Sequence, residues 1–267
     1  MSTYSSRIQQ ILATPRRHYL NCVSAPCGAG KTEVLLDEAA RLLKHQNVLI
    51  VMPTMDLIGE AEGRASNKGI SFTTITSQGT KNVGKAIEGF IADAPATGTC
   101  LICTWVTYSS MRWTGNIDTD WAILIDEVPQ PDTLFHFKLP RNASFLLEEV
   151  EAVPCTLSSD LRALRLRSDD ETKKRLADDL DEVDEVFRKF FQHVLNPNYY
   201  VYVSAKQWEQ FVAKEIDAVH IVSMLNARPF RDAVLFGAFA QDSLLARWFL
   251  KLYGGEWVFR DVCRLTA

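Results

Sequence analysis

The chain has 267 residues, 47% hydrophobic and 23% charged, with a formal net charge of −4. That length holds one large α/β domain, or one domain with a sizeable insertion. The charge balance gives no support to a strongly basic nucleic-acid binder, and without an 18-residue apolar run no membrane-spanning helix is expected.

The N-terminus, Met1-Ser2-Thr3-Tyr4-Ser5-Ser6-Arg7, lacks a basic segment followed by an apolar one, so no signal peptide is expected. Residues 4–14 read as a short helix carrying Ile8, Ile11 and Leu12. An apolar strand from Tyr19 to Ser24 follows, then Ala25-Pro26-Cys27-Gly28-Ala29-Gly30-Lys31-Thr32, then a helix with Val34, Leu35, Ala39, Leu42 and Leu43 on one side. Strand, glycine-rich turn, Lys-Thr and helix together make the context of a phosphate-binding loop. Glycine lets consecutive backbone N–H groups turn into one concavity, and the helix N-terminus adds positive potential. Lys31 is placed to reach the β- and γ-phosphates of a nucleotide, and the Thr32 hydroxyl to hold Mg²⁺. Ala25 stands where the usual pattern opens with glycine.

Asn47 to Met52 is a continuous apolar run, as in a parallel strand buried on both faces, and ends in Pro53-Thr54. A helix is expected from Met55 to about Ala65, a weaker strand over Ser71–Thr76, and a helix from Asn82 to Ala94 with Val83, Ile87, Phe90 and Ile91 on one face. Thr99–Cys103 and Trp121–Ile125 are further buried strands; the second leads into Asp126-Glu127. Cys100 and Cys103 form a lone CxxC on a strand, where residues three apart face opposite ways, so core packing is expected rather than zinc. The six cysteines show no framework, and the chain is expected to keep them reduced in a cytoplasm.

The βαβ alternation predicts an α/β fold: a three-layer, mostly parallel sheet with helices on both faces, over residues 1–129 and 233–267. Such sheets bind ligands at the carboxyl ends of their strands, which puts Lys31-Thr32 and Asp126-Glu127 on one edge. An Asp ending an apolar strand can hold Mg²⁺, and the adjacent Glu127 can orient and polarise an attacking water.

Ala25-x-x-Gly28-x-Gly30-Lys31-Thr32, Pro53-Thr54 and Asp126-Glu127-Val128-Pro129 resemble motifs I, Ia and II of the first RecA-like domain of a superfamily 2 DNA/RNA helicase. The last is a variant of the DEAD/DEAH box. The resemblance covers residues 7–128. It implies ATP and Mg²⁺ as cofactors, an adenine-reading role for Gln10, and a nucleic-acid backbone, DNA or RNA and as a single strand, contacted by loops carrying Pro53, Thr54, Ser77, Thr104 and Thr107. After the strand Ala233–Phe236, Gly237-Ala238-Phe239 lies where the family carries a Ser-Ala-Thr coupling loop, with Gly237 and Phe239 in place of the two hydroxyls. A helix from Asp242 and a strand over Glu256–Val262 follow.

Residues 130–232 fall outside that pattern and are expected to form a largely helical insertion. They hold 14 Lys+Arg and 18 Asp+Glu, so the whole acidic surplus lies there. Ser168 with Glu171 makes a capping box, and Leu176, Leu180, Val183, Phe187, Phe190 and Val194 draw one helical seam to about Leu195. Arg162, Arg165 and Arg167 read as surface charge. No room remains for a second RecA-like domain, so the chain is expected to be a fragment of a longer motor or a domain completed in cis or in trans. A nucleotide-dependent binding module and another P-loop motor, such as a DNA-packaging ATPase, are the competing expectations.

Overall fold

The computed structural model describes residues 18–26, 28–77, 80, 83–111, 121–138, 144–167, 185–231, 233–254 and 256–264. In chain order the elements are β1 (His18–Ser24), α1 (Lys31–Leu42), β2 (Asn47–Met52), α2 (Met55–Asn67), β3 (Thr73–Thr74), α3 (Val83–Ala92), β4 (Cys100–Thr104), α4 (Trp105–Ser110) and β5 (Trp121–Asp126). Next come β6 (Asp132–Lys138), α5 (Ser144–Glu149), β7 (Val150–Pro154), β8 (Leu161–Leu166), α6 (Glu185–Leu195), β9 (Tyr199–Ser204), α7 (Ala205–Val212) and β10 (Ala218–Leu225). The chain closes with β11 (Ala233–Gly237), α8 (Leu244–Tyr253) and β12 (Trp257–Arg264). It divides into two compact units: Met1–Pro129 with Pro229–Ala267, and Gln130–Arg228.

The first unit is built on a seven-stranded sheet in the order β12-β1-β11-β5-β2-β4-β3, parallel throughout. All six residues of β2 are buried, as a central parallel strand covered on both faces requires. On one face α1 lays down Leu35, Leu36 and Ala39, and α2 lays down Ile58, Ala61 and Ala65, against Val48, Ile50, Ile102, Leu124 and Phe236. The spacing within each helix, one side facing inward every three to four residues, is what the sequence periodicity dictates. On the other face lie Leu49, Val51, Ile123, Ile125 and Leu235, also buried. An aromatic cluster packs on that side: Trp105 of α4 stacks on Phe230, which meets Phe249 of α8 edge-on, and Phe249 meets Trp257 and Phe259 of β12. Tyr108 anchors α4 by donating its hydroxyl to the Pro229 carbonyl. The result is a three-layer α/β fold of the P-loop NTPase, RecA-like type.

Cys100 and Cys103 sit in β4 as buried thiols, and burial pushes both up to about 12. Asn47, 2% exposed, stitches the turn before β4: its Nδ2 donates to the Pro95 carbonyl at 2.6 Å and its Oδ1 accepts from Thr99 N–H at 2.9 Å. Boundaries differ modestly from expectation. β3 shortens to Thr73–Thr74, and α8 starts at Leu244 because the Ser243 hydroxyl caps it, accepting from Ala246 N–H at 3.1 Å.

The second unit departs from the helical expectation. Its described residues form a five-stranded antiparallel sheet, order β6-β10-β9-β8-β7, with α5, α6 and α7. The physical reason is visible in residues 132–138, 199–204 and 218–225, which are rich in aromatic and β-branched side chains, the last with burial alternating at period two. The expectation rested on the helical seam that starts at Leu176. Of it, Glu185–Leu195 is helix, while residues 168–184 lie outside the described residues. Phe187, Phe190 and Phe191 of α6 and Trp208 and Phe211 of α7 pack with Phe137, Val203, Val219 and Ile221 of the sheet. Filling both helix seams with aromatics gives this small unit its core; each fully buried Phe contributes about 1.5–3 kcal/mol. His193 is drawn into it, stacked on Phe135 and hydrogen-bonded to Ser223 at 3.1 Å, and burial lowers its pKa.

Candidate nucleotide site

Because the seven strands run parallel, their carboxyl ends share one edge. Ser24, Met52, Thr74, Thr104, Asp126 and Gly237 all end strands there. β11 lies between β1 and β5, pairing Ser24 with Gly237 and Phe236 with Asp126.

The loop after β1 turns through Gly28 and Gly30, with φ of +80° and +76°, a region in which a side chain would be strained. Gly30 occupies the N-cap of α1 without a side-chain cap, so the helix start presents backbone N–H groups to the loop. Ala25, in the position usually held by glycine, is buried and donates its N–H to the Gly237 carbonyl at 3.3 Å. The Lys31 ammonium curls over the loop, donating to the carbonyls of Ala25 at 3.3 Å and Pro26 at 3.1 Å. Cys27 and Gln10 lie outside the described residues.

The two acidic residues differ sharply. Asp126 is 6% exposed, and its Oδ2 accepts from the Thr32 hydroxyl at 3.1 Å across 94 residues of chain. Burial raises its pKa, with Glu127 adding to the rise, while the Thr32 hydrogen bond, Lys31 and the Glu127 N–H oppose it. Glu127 is exposed and sits in the left-handed region at φ 67°, pinned by its N–H to the Phe236 carbonyl at 2.7 Å. A bulky acidic residue in that conformation stores strain of about 1–3 kcal/mol, the kind of backbone that clusters at functional sites.

At Gly237, where the resemblance would place a hydroxyl, the packing leaves no space for one. A Cβ there would stand 2.5 Å from Val128 Cγ2 and 3.4 Å from Val128 N. The residue after the acidic pair and the end of β11 pack without room for any side chain. Gly237→Ala is therefore expected to destabilise the protein by about 1–3 kcal/mol. Thermal melts would check it, and Val128→Ala in the same chain should restore part of the loss. Beyond it, Ala238 is half-buried, and Phe239 is 69% exposed at φ 51°.

On the far half of the edge, Thr54 is exposed and caps α2, its hydroxyl accepting from Leu57 N–H at 3.4 Å; Pro53 beside it is half-buried. Ser77 is exposed, and Thr104 caps α4. Thr107 departs from expectation: it is 8% exposed and its hydroxyl meets that of Thr104 at 3.0 Å, so it braces the cap instead of presenting itself to a ligand. The sequence reading also missed Asp261 of β12, which accepts a hydrogen bond from Ser24 and so fixes the strand end where the phosphate loop begins. An acid interrupting the apolar run Trp257-Val258-Phe259 was the available signal.

Residues 3–128 match the family model described as "Type III restriction enzyme, res subunit". Among solved structures, the chain is similar to one titled "Structure of S. tokodaii Xpd4", at 13% identity and a TM-score of 0.42; 99% of this chain is aligned. The chain spans 59% of that protein's length. No match is found among curated proteins. Among the described residues no helix is long and apolar enough to cross a membrane. The family match over residues 3–128 and the two motifs joined at Thr32 and Asp126 support a RecA-like domain of the superfamily 2 helicase type in that stretch.

Proposed function

We propose that this motor domain binds and hydrolyses ATP and acts on single-stranded DNA or RNA. The observation that carries the reading is the Thr32–Asp126 hydrogen bond, which joins the phosphate loop to the acidic strand end. Mg²⁺ suits this pair because both atoms are hard oxygens at the end of a strand. When bound, the ion neutralises charge on the β- and γ-phosphate oxygens. The chain's own groups do the rest. The loop amides and the start of α1 bind the phosphates, and Lys31 exchanges its two carbonyl partners for phosphate oxygens, which as anions are stronger acceptors. Glu127, exposed beside the buried aspartate, orients the attacking water and takes its proton. Ala25, Pro26, Cys27, Gly28, Ala29 and Gly30 complete the phosphate cradle, with Gln10 at the adenine.

Thr54, Ser77 and Thr104 line the half of the edge away from the phosphate loop, and their hydroxyls and nearby amides suit a sugar-phosphate backbone. Strand binding and hydrolysis are coupled through Gly237-Ala238-Phe239, and a second RecA-like domain, in cis or in trans, completes the cleft. Phosphate release measured with and without single-stranded DNA and RNA tests the reading. Stimulation by either strand is the expected result. ATP binding with no turnover under any condition would favour a nucleotide-dependent binding module instead, a reading supported by the missing hydroxyls at Gly237 and Phe239.

A further inference from the structure

In the second unit, His136 on β6 stands directly opposite His220 on β10. Their neighbours Phe137 and Val219 point into the core, so strand alternation puts both imidazoles on the other face, where both are exposed. The rings lie with centroids 4.7 Å apart and planes at 46°, and the two Nδ1 atoms are 3.4 Å apart.

Across that gap one ring N–H can donate to the other ring nitrogen, a hydrogen bond at the long end of the range. The same spacing also fits coordination to one cation. Two nitrogens held 2.0–2.1 Å from one cation at the tetrahedral angle stand about 3.3–3.4 Å apart. The backbone register already delivers both side chains to that distance on one face.

We propose that His136 and His220 form a two-ligand site for a borderline divalent cation, zinc foremost, bound through the two Nδ1 atoms. Imidazole suits Zn²⁺, Ni²⁺ and Cu²⁺ and is a poor ligand for Mg²⁺, so this chemistry is separate from that at Asp126. Each ring carries its proton on Nε2 when Nδ1 is the ligand. Among the described residues no cluster of three or more His, Cys, Asp or Glu is placed to hold a metal. The described residues supply two ligands, which leaves the remaining positions for water or a further donor. The neighbours on the same face are Lys138, drawn to Asp217 at 4.0 Å, and Leu134, which is 63% exposed. Because β6 is an edge strand, the cation clips it to β10 and stabilises the folded unit by mass action.

The test is titration of the purified chain with zinc chloride, without nucleotide or magnesium, followed by calorimetry, by nitrogen-detected NMR of the histidine rings and by thermal melting. One cation per chain is expected to bind at micromolar zinc. The Nδ1 resonances of His136 and His220 should shift while those of His18, His45 and His193 hold still. His136→Gln and His220→Gln should each weaken binding by on the order of ten- to a hundredfold, since even the outer partners of metal ligands are worth that much. Each should also abolish the zinc-induced rise in Tm. ATP turnover should be unchanged in both variants, so the result stands apart from the nucleotide assignment. No binding at micromolar zinc, or binding that persists in both variants, would overturn the proposal. The wild-type nitrogen shifts decide the matter even if a variant fails to fold.

Discussion

Lys31→Ala is expected to lower kcat/KM for ATP by on the order of 10²–10³-fold, the loss of about 2.7–4 kcal/mol of transition-state stabilisation that follows removal of one preorganised donor. The ammonium lies within 3.1–3.3 Å of two loop carbonyls at the head of α1, where the proposed mechanism puts the phosphates. Alanine is a better helix former than lysine at the start of α1, so the fold should survive. Circular dichroism would confirm that, while calorimetric titration and phosphate release measure binding and turnover. Unchanged affinity and unchanged turnover would remove Lys31, and with it the phosphate loop, from the mechanism.

Glu127→Gln should give the opposite dissection: ATP is retained and hydrolysis falls by about 10²–10⁴-fold, the usual worth of a general base. Glutamine keeps the size of the side chain and tolerates the same backbone bond to Phe236, whereas it cannot take a proton from water. The left-handed backbone at this position is imposed by that bond and by β11, so it should persist in the variant. A variant that hydrolyses ATP at the parent rate would show that another group orients the water. The two substitutions are informative together, since one removes a binding donor and the other a chemical step.

Most of this site was legible in the sequence because its signals are local. Glycine at 28 and 30, Lys-Thr at the start of a helix, and Asp-Glu at the end of an apolar strand each have a meaning that neighbours within a few residues supply. Their placement on one edge followed from a parallel sheet. The Ser24–Asp261 bond and the collision course between residue 237 and Val128 were not legible, because each joins segments more than a hundred residues apart. Thr107 was misread for a subtler reason: a hydroxyl in a Thr-x-x-Thr loop serves a ligand or a helix cap equally well in sequence, and only burial decides. In the second unit the error had a different source. The expectation rested on a single helical seam of large apolar residues, although short strands set the architecture.

The position of β1 in its sheet has a consequence for how the protein is made. Its two neighbours are β11 and β12, which begin at Ala233 and Trp257, while the strand that carries the phosphate loop ends at Ser24. At the usual rates of ribosomal elongation, about 5–20 residues per second, β1 waits roughly ten to forty seconds with both of its hydrogen-bonding edges open. Gln130–Arg228, contiguous in sequence and paired by antiparallel neighbours, is complete before either partner of β1 emerges. Such long-range closure is slow and leaves an unpaired apolar strand open to other chains. Nascent chains stalled before Ala233 should therefore be held by chaperones and cut by protease around residues 18–24, and both sensitivities should fall once β12 has left the ribosome.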